Sequence, residues 1–73
     1  MDKRREKFVE LAEKRVTRVL KDLRLVGNLA NRNNYSYTEQ DTKKILSAIE
    51  AEVKNLRRRF EHTDEEENTV FKL

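Results

Sequence analysis

Two runs of apolar residues, each stepping alternately by three and four, leave this chain few choices besides paired helices. The first is Val9, Ala12, Val16, Val19, Leu23, Val26 and Ala30. The second is Leu46, Ile49, Val53, Leu56 and Phe60. Such steps hold side chains on one stripe of a helix, whereas a half-buried strand would alternate at every second residue. Phe8, Leu20 and Leu29 widen the first stripe, and Ile45 and Ala48 widen the second. No proline interrupts either run, so nothing covalent stops a helix early.

The first helix is expected over about residues 3–31. Gly27 falls inside its pattern and has two readings: a C-terminal cap, or a residue within a helix that runs on to about Asn31 and lets a neighbour approach closely. The continued period through Leu29 and Ala30 favours the second. The next helix has a clear start at Thr38-Glu39-Gln40-Asp41. Thr38 reads as its N-cap, with acids in the first turn and Asp41 in the place usually held by Glu or Gln of a capping box. It is expected over about residues 39–61, with Arg57, Arg58 and Arg59 near the carbonyl end of its dipole. From His62 the chain turns polar and acidic, then ends Val70-Phe71-Lys72-Leu73. That stretch reads as a frayed helix end and a tail whose apolar tip either docks on a groove or stays disordered.

The fold class expected is therefore all-α: an antiparallel two-helix hairpin over 1–62, followed by an acidic and apolar tail over 63–73. Two packed helices cannot enclose both wide stripes. A second copy can, so the hairpin is expected to form a homo-oligomeric helical bundle, the smallest being a four-helix dimer.

Composition limits the chemistry. The chain has no cysteine, which excludes a disulfide framework, a thiolate zinc site and thiol catalysis, and suits a reducing cytoplasm. No apolar run approaches the roughly 18 residues that mark a membrane helix. The opening MDKRREKFVELAEK has positive charge without an apolar core behind it, so it does not read as a signal peptide. Up to His62 there are 16 basic and 10 acidic residues; from Thr63 onward there are one and four. The body is basic and the tail acidic.

The joint between the helices, GNLANRNNYSYT over residues 27–38, carries the densest chemistry. If the first helix runs on, Arg24, Asn28, Asn31 and Arg32 share one polar stripe at i, i+4, i+7 and i+8. Asn33 and Asn34 suit a turn. Tyr35 and Tyr37 alternate around Ser36, so an extended backbone would aim both rings the same way. The expected ligand-binding residues are Arg24, Asn28, Asn31, Arg32, Asn34, Tyr35 and Tyr37. Arginine can fork onto phosphate, asparagine can pair with a base edge or ribose, and tyrosine can stack on a purine. Free N–H groups at the second helix start suit an anion, although Glu39 and Asp41 oppose a strongly negative one. The competing reading is a well-made interhelical turn, with asparagines capping and tyrosines packing over the hairpin end.

Other groupings are weaker. Lys3-Arg4-Arg5-Glu6-Lys7 reads as a solvated helix start. Lys14, Arg15, Arg18, Lys21 and Arg24 form a basic face able to follow a nucleic-acid backbone, but Glu10, Glu13 and Asp22 interrupt it. Arg57-Arg58-Arg59 has acidic partners available in the tail. His62 is the only histidine, so no metal site is expected. There is no nucleophile set, no Gly-rich phosphate loop and no carboxylate pair placed for acid–base work. The chain does not read as an enzyme, and no cofactor is expected.

Residues 15–60, with RLVGNLANRNNYSYTEQD at their centre, resemble a group of short, largely uncharacterised proteins of phages and mobile elements of Gram-positive bacteria. Those proteins share a basic-apolar helix, a Leu25-to-Arg32-like run, an Asn-Tyr-x-Tyr-Thr segment and an acidic helix start. The resemblance brings no chemistry with it. It implies a context: small oligomeric phage proteins, acting in the host bacterial cytoplasm, that bind a target stoichiometrically. Some sequester nucleotide signals of bacterial immunity and others block immune proteins. The expected function is thus a non-enzymatic binding protein that sequesters a nucleotide-derived immune signal through the joint. Two alternatives stand beside it: a nucleic-acid-binding accessory of a mobile element, and an inhibitor that grips a host protein. Expected partners are further copies of the chain and a nucleotide-type ligand, with nucleic acid second and no membrane.

Overall fold

The computed structural model describes the backbone of residues 2–68 and the side chains of residues 2–62. Those residues form two α-helices, α1 (Lys3–Gly27) and α2 (Glu39–Asn68), and no strand. The chain divides into two units, Met1–Ser36 and Tyr37–Leu73, each holding one helix.

The first unit begins with a cap that the apolar pattern did not reveal. Asp2, extended at φ −64° and ψ 127°, accepts a 2.9 Å hydrogen bond from the Arg4 N–H at Oδ1. Its other oxygen lies 3.5 Å from the Arg4 guanidinium. This satisfies an N–H that the helix itself leaves without a partner, and the carboxylate complements the positive end of the dipole. One turn on, the Arg5 guanidinium lies 5.7 Å from the centre of the Phe8 ring. An i, i+3 spacing brings such pairs together, and the ring face attracts the cation.

The α-helix ends at Gly27, short of the Asn31 expected from the apolar period. Glycine is about 1 kcal/mol poorer than alanine inside a helix. Asn28, Asn31, Asn33 and Asn34 then offer side chains that compete for backbone groups. The end is not a left-handed glycine cap either. Among the described residues none has positive φ, and Asn28, at φ −66° and ψ −15°, keeps a right-handed backbone. The ladder instead tightens. Asn28 N–H donates to the Arg24 carbonyl at 3.0 Å; the Leu29 and Ala30 N–H groups then donate to Val26 and Gly27, each at 3.0 Å and only three residues back. Narrower turns of this kind use up the last helical carbonyls.

The second unit starts as the sequence predicts. The Asp41 N–H donates to Thr38 Oγ1 at 3.1 Å, and the Thr38 N–H donates to Asp41 Oδ2 at 2.9 Å. This is a reciprocal capping box closed by aspartate. Thr42 adds its hydroxyl and its N–H to the Thr38 carbonyl, at 3.3 and 3.2 Å. Thr38→Ala removes one arm of the box and is expected to cost about 1 kcal/mol of α2 stability. The check is thermal unfolding followed at 222 nm. An unchanged transition would mean that α2 does not depend on its cap.

At its far end α2 passes the expected stop near Glu61 and continues to Asn68. Glutamates 65–67 propagate a helix almost as well as leucine. The apolar tip, Val70 to Leu73, and the side chains proposed to meet Arg57–Arg59 lie outside the described residues.

Among the described residues no side chain is buried. The apolar stripes of both helices face solvent: Val16 and Val19 are each 54 % exposed in α1, and Leu46, Val53 and Leu56 each 52 % in α2. Val9, Leu11, Ala12, Tyr37, Thr42 and Ile49 reach only intermediate cover. Among the described residues neither unit contains a core.

Candidate functional site

The joint is built from its first turn upward. Past Ala30, the Asn31 carbonyl accepts N–H bonds from Asn34 at 3.1 Å and Tyr35 at 2.9 Å. Its side-chain Oδ1 accepts a third, from the Asn33 N–H at 3.1 Å. One asparagine thus organises a complete turn, its amide oxygen taking the part of a backbone carbonyl. Asn33, absent from the predicted site, is the residue that Asn31 grips. The signal was available in the spacing Asn31-x-Asn33, since Asx turns bond two residues ahead.

This geometry corrects the polar stripe expected from a helix running to Asn31. Arg24 and Asn28 remain one helical turn apart, joined through their backbones. Asn31 and Arg32 belong to the turn and not to a continued helical face. The seven predicted residues also divide between the units: Arg24, Asn28, Asn31, Arg32, Asn34 and Tyr35 in the first, Tyr37 in the second.

Their environments differ. Tyr35 is 49 % exposed, and Tyr37 is half-buried. Asn31 spends its amide oxygen on the turn. Arg32 and Tyr37 each have a partner. The side chains of Arg24, Asn28, Asn34 and Tyr35 are exposed and make no hydrogen bond or ion pair among the described residues. Taken together, the first unit offers one guanidinium, two amides and one phenol ring that structure-building has not used. That set can bind an anion, read a hydrogen-bonding edge and stack on a flat ring.

A separate open furrow runs along the first turns of α2, lined by Thr38, Glu39, Gln40, Lys43, Lys44 and Ser47. None of the seven predicted residues borders it. Among the described residues no group of three His, Cys, Asp or Glu side chains could hold a metal ion, and no helix is long and apolar enough to cross a membrane.

Comparison with protein-family models, with characterised proteins and with solved structures gives no match.

Proposed function

We propose that this chain is a non-enzymatic binding protein that works as a homo-oligomer. Its helices fold back as an antiparallel hairpin, copies bundle through the two stripes, and the 24–37 segment of each copy takes a nucleotide-type ligand. The observation that carries this reading is the pair of long apolar stripes, on which no side chain is buried among the described residues. Helices in proteins draw most of their stability from packing an apolar face rather than from propensity. Assembly supplies that burial. It also gathers several copies of Arg24, Asn28, Asn34 and Tyr35 into one object, which raises their effective concentration toward a ligand with several contact points.

A ligand with phosphate and base fits the unspent groups best. Arg24 meets phosphate, Asn28 and Asn34 meet the base or ribose edge, and Tyr35 meets the base face, while Asn31, Arg32 and Tyr37 already have partners. The resemblance to phage proteins supplies a purpose for such binding: removing a nucleotide signal of host defence. Calorimetry against a panel of cyclic dinucleotides and cyclic ADP-ribose isomers tests it. Stoichiometric binding to at least one member is expected. Silence across the panel, with the protein assembled, would overturn the ligand assignment.

A further inference from the structure

Helix α1 has a second face that its apolar stripe does not use. We infer that this face meets the phosphate backbone of a nucleic-acid duplex, without regard to base sequence. The contact is separate from the nucleotide site proposed above, and the face stays outside whether or not the stripes are covered.

The face emerges when α1 is viewed down its axis. At 100° per residue, Lys3, Lys7, Lys14, Arg18 and Lys21 all fall within about 50° of the line opposite the Val16, Val19 and Leu23 stripe. Glu10 is the one acid among them. Glu13 and Asp22 interrupt the run of cations in sequence, but they lie about 90° from that line, at the borders of the stripe. The row therefore sets five positive charges against one negative. From Lys3 to Lys21 it extends about 27 Å, at 1.5 Å per residue. All five cations are exposed, and none makes an ion pair among the described residues.

A row of this sign and length fits a partner that carries closely spaced negative charge along a straight line. A duplex does so, with one phosphate for about every 1.7 Å of its axis. The rest of the face favours contact with the backbone alone. Besides the charges, this face of α1 carries only Thr17 and Leu25. It has no aromatic ring for an unpaired base to stack on, as single-strand binders use. A protein partner calls for an apolar or aromatic anchor at the centre of the contact, whereas Leu25 sits beyond the row's end. A membrane surface would take up the apolar stripe, and that stripe is the surface proposed for assembly.

Fluorescence anisotropy with short labelled duplexes tests the contact. The probes are two DNA duplexes of unrelated sequence and an RNA duplex, each titrated over a salt series. Both DNA sequences are expected to bind alike, with affinity falling as salt rises. Each phosphate met adds about 0.9 to the slope of log affinity against log salt. A variant carrying Lys14→Gln, Arg18→Gln and Lys21→Gln is expected to lower that slope by about 2.7 per bound copy, and to bind at least about thirtyfold more weakly at about 0.1 M salt. The matched control carries Arg4→Gln, Arg15→Gln and Arg57→Gln, which removes the same charge from positions off this face. It is expected to keep most of the affinity. Glutamine propagates a helix about as well as lysine or arginine, so helicity at 222 nm checks that both variants fold.

A wild-type chain that binds none of the duplexes at low salt would overturn the proposal. Equal losses in the two variants would do the same, because net charge and not this face would then govern binding. Tighter binding to vesicles of phosphatidylserine and phosphatidylcholine than to any duplex would assign the row to a membrane surface and also contradict it. None of these titrations contains a free nucleotide, so a failure here is distinct from a failure of the nucleotide reading.

Discussion

Val19→Asp in α1, or Val53→Asp in α2, is expected to leave a monomeric chain with much of its helix lost. Val19 and Val53 stand at the centres of their stripes and are 54 % and 52 % exposed in the single chain. An aspartate there costs the lone helix little. Inside a bundle, the same carboxylate must be desolvated among apolar side chains without a partner, a penalty of several kcal/mol. A loss of about 3 kcal/mol already weakens association more than a hundredfold. Helix content should fall with it, since the stripe contacts are what hold these residues helical. Lys21→Ala, on the opposite face of α1, is the control: alanine favours helix, and the mass should not change. Light scattering and circular dichroism on the same samples decide the matter. Either aspartate variant keeping the wild-type mass and helicity would show that the stripes are not the assembly surface.

The second large effect belongs to the joint. Arg24→Ala combined with Tyr35→Ala is expected to weaken nucleotide binding at least about a hundredfold while leaving the assembled mass unchanged. A charge-assisted hydrogen bond contributes roughly 1.5–3 kcal/mol, and stacking of a base on an aromatic ring roughly 1–3 kcal/mol. The lower ends together approach 2.7 kcal/mol, which corresponds to a factor of about a hundred. Neither residue lies on a stripe, and neither has a partner among the described residues, so their loss should leave the helices intact. Calorimetry with the tightest member of the nucleotide panel provides the readout. Undiminished binding by the double variant would place the ligand elsewhere, whatever the state of assembly.

Much of the architecture was written in the sequence because it rests on local rules. The three-and-four spacing of Val16, Val19 and Leu23 specifies a helix face without reference to any other segment. Thr38 and Asp41, three residues apart, specify a cap in the same local way, and the structure forms both of its hydrogen bonds. The structure departs from the pattern where two local preferences compete. At Gly27 the apolar period through Leu29 and Ala30 argued for continuation. The poor helix propensity of glycine and the run of asparagines won, and the α-helix stopped there. At Glu61 the polar composition argued for a stop, yet a glutamate run is itself a good helix former and α2 went on to Asn68.

The site was legible as a neighbourhood rather than as a geometry. Asparagine in turns is readable from composition. Which amide is spent on the turn and which is left over depends on one side chain. Asn31 accepts from Asn33, whereas Asn28 and Asn34 remain available. The aspartate cap at Asp2 is hidden from the pattern for a related reason: it precedes the first stripe residue by a full two turns, so the apolar period does not point to it.

The claim beneath all of this is that exposed stripes make the chain assemble. Light-scattering mass of the wild-type protein across a concentration series tests it most directly. The expected mass is that of at least two 8.8 kDa chains, falling toward one only on strong dilution. A mass of a single chain at every concentration, with both helices intact, would contradict it.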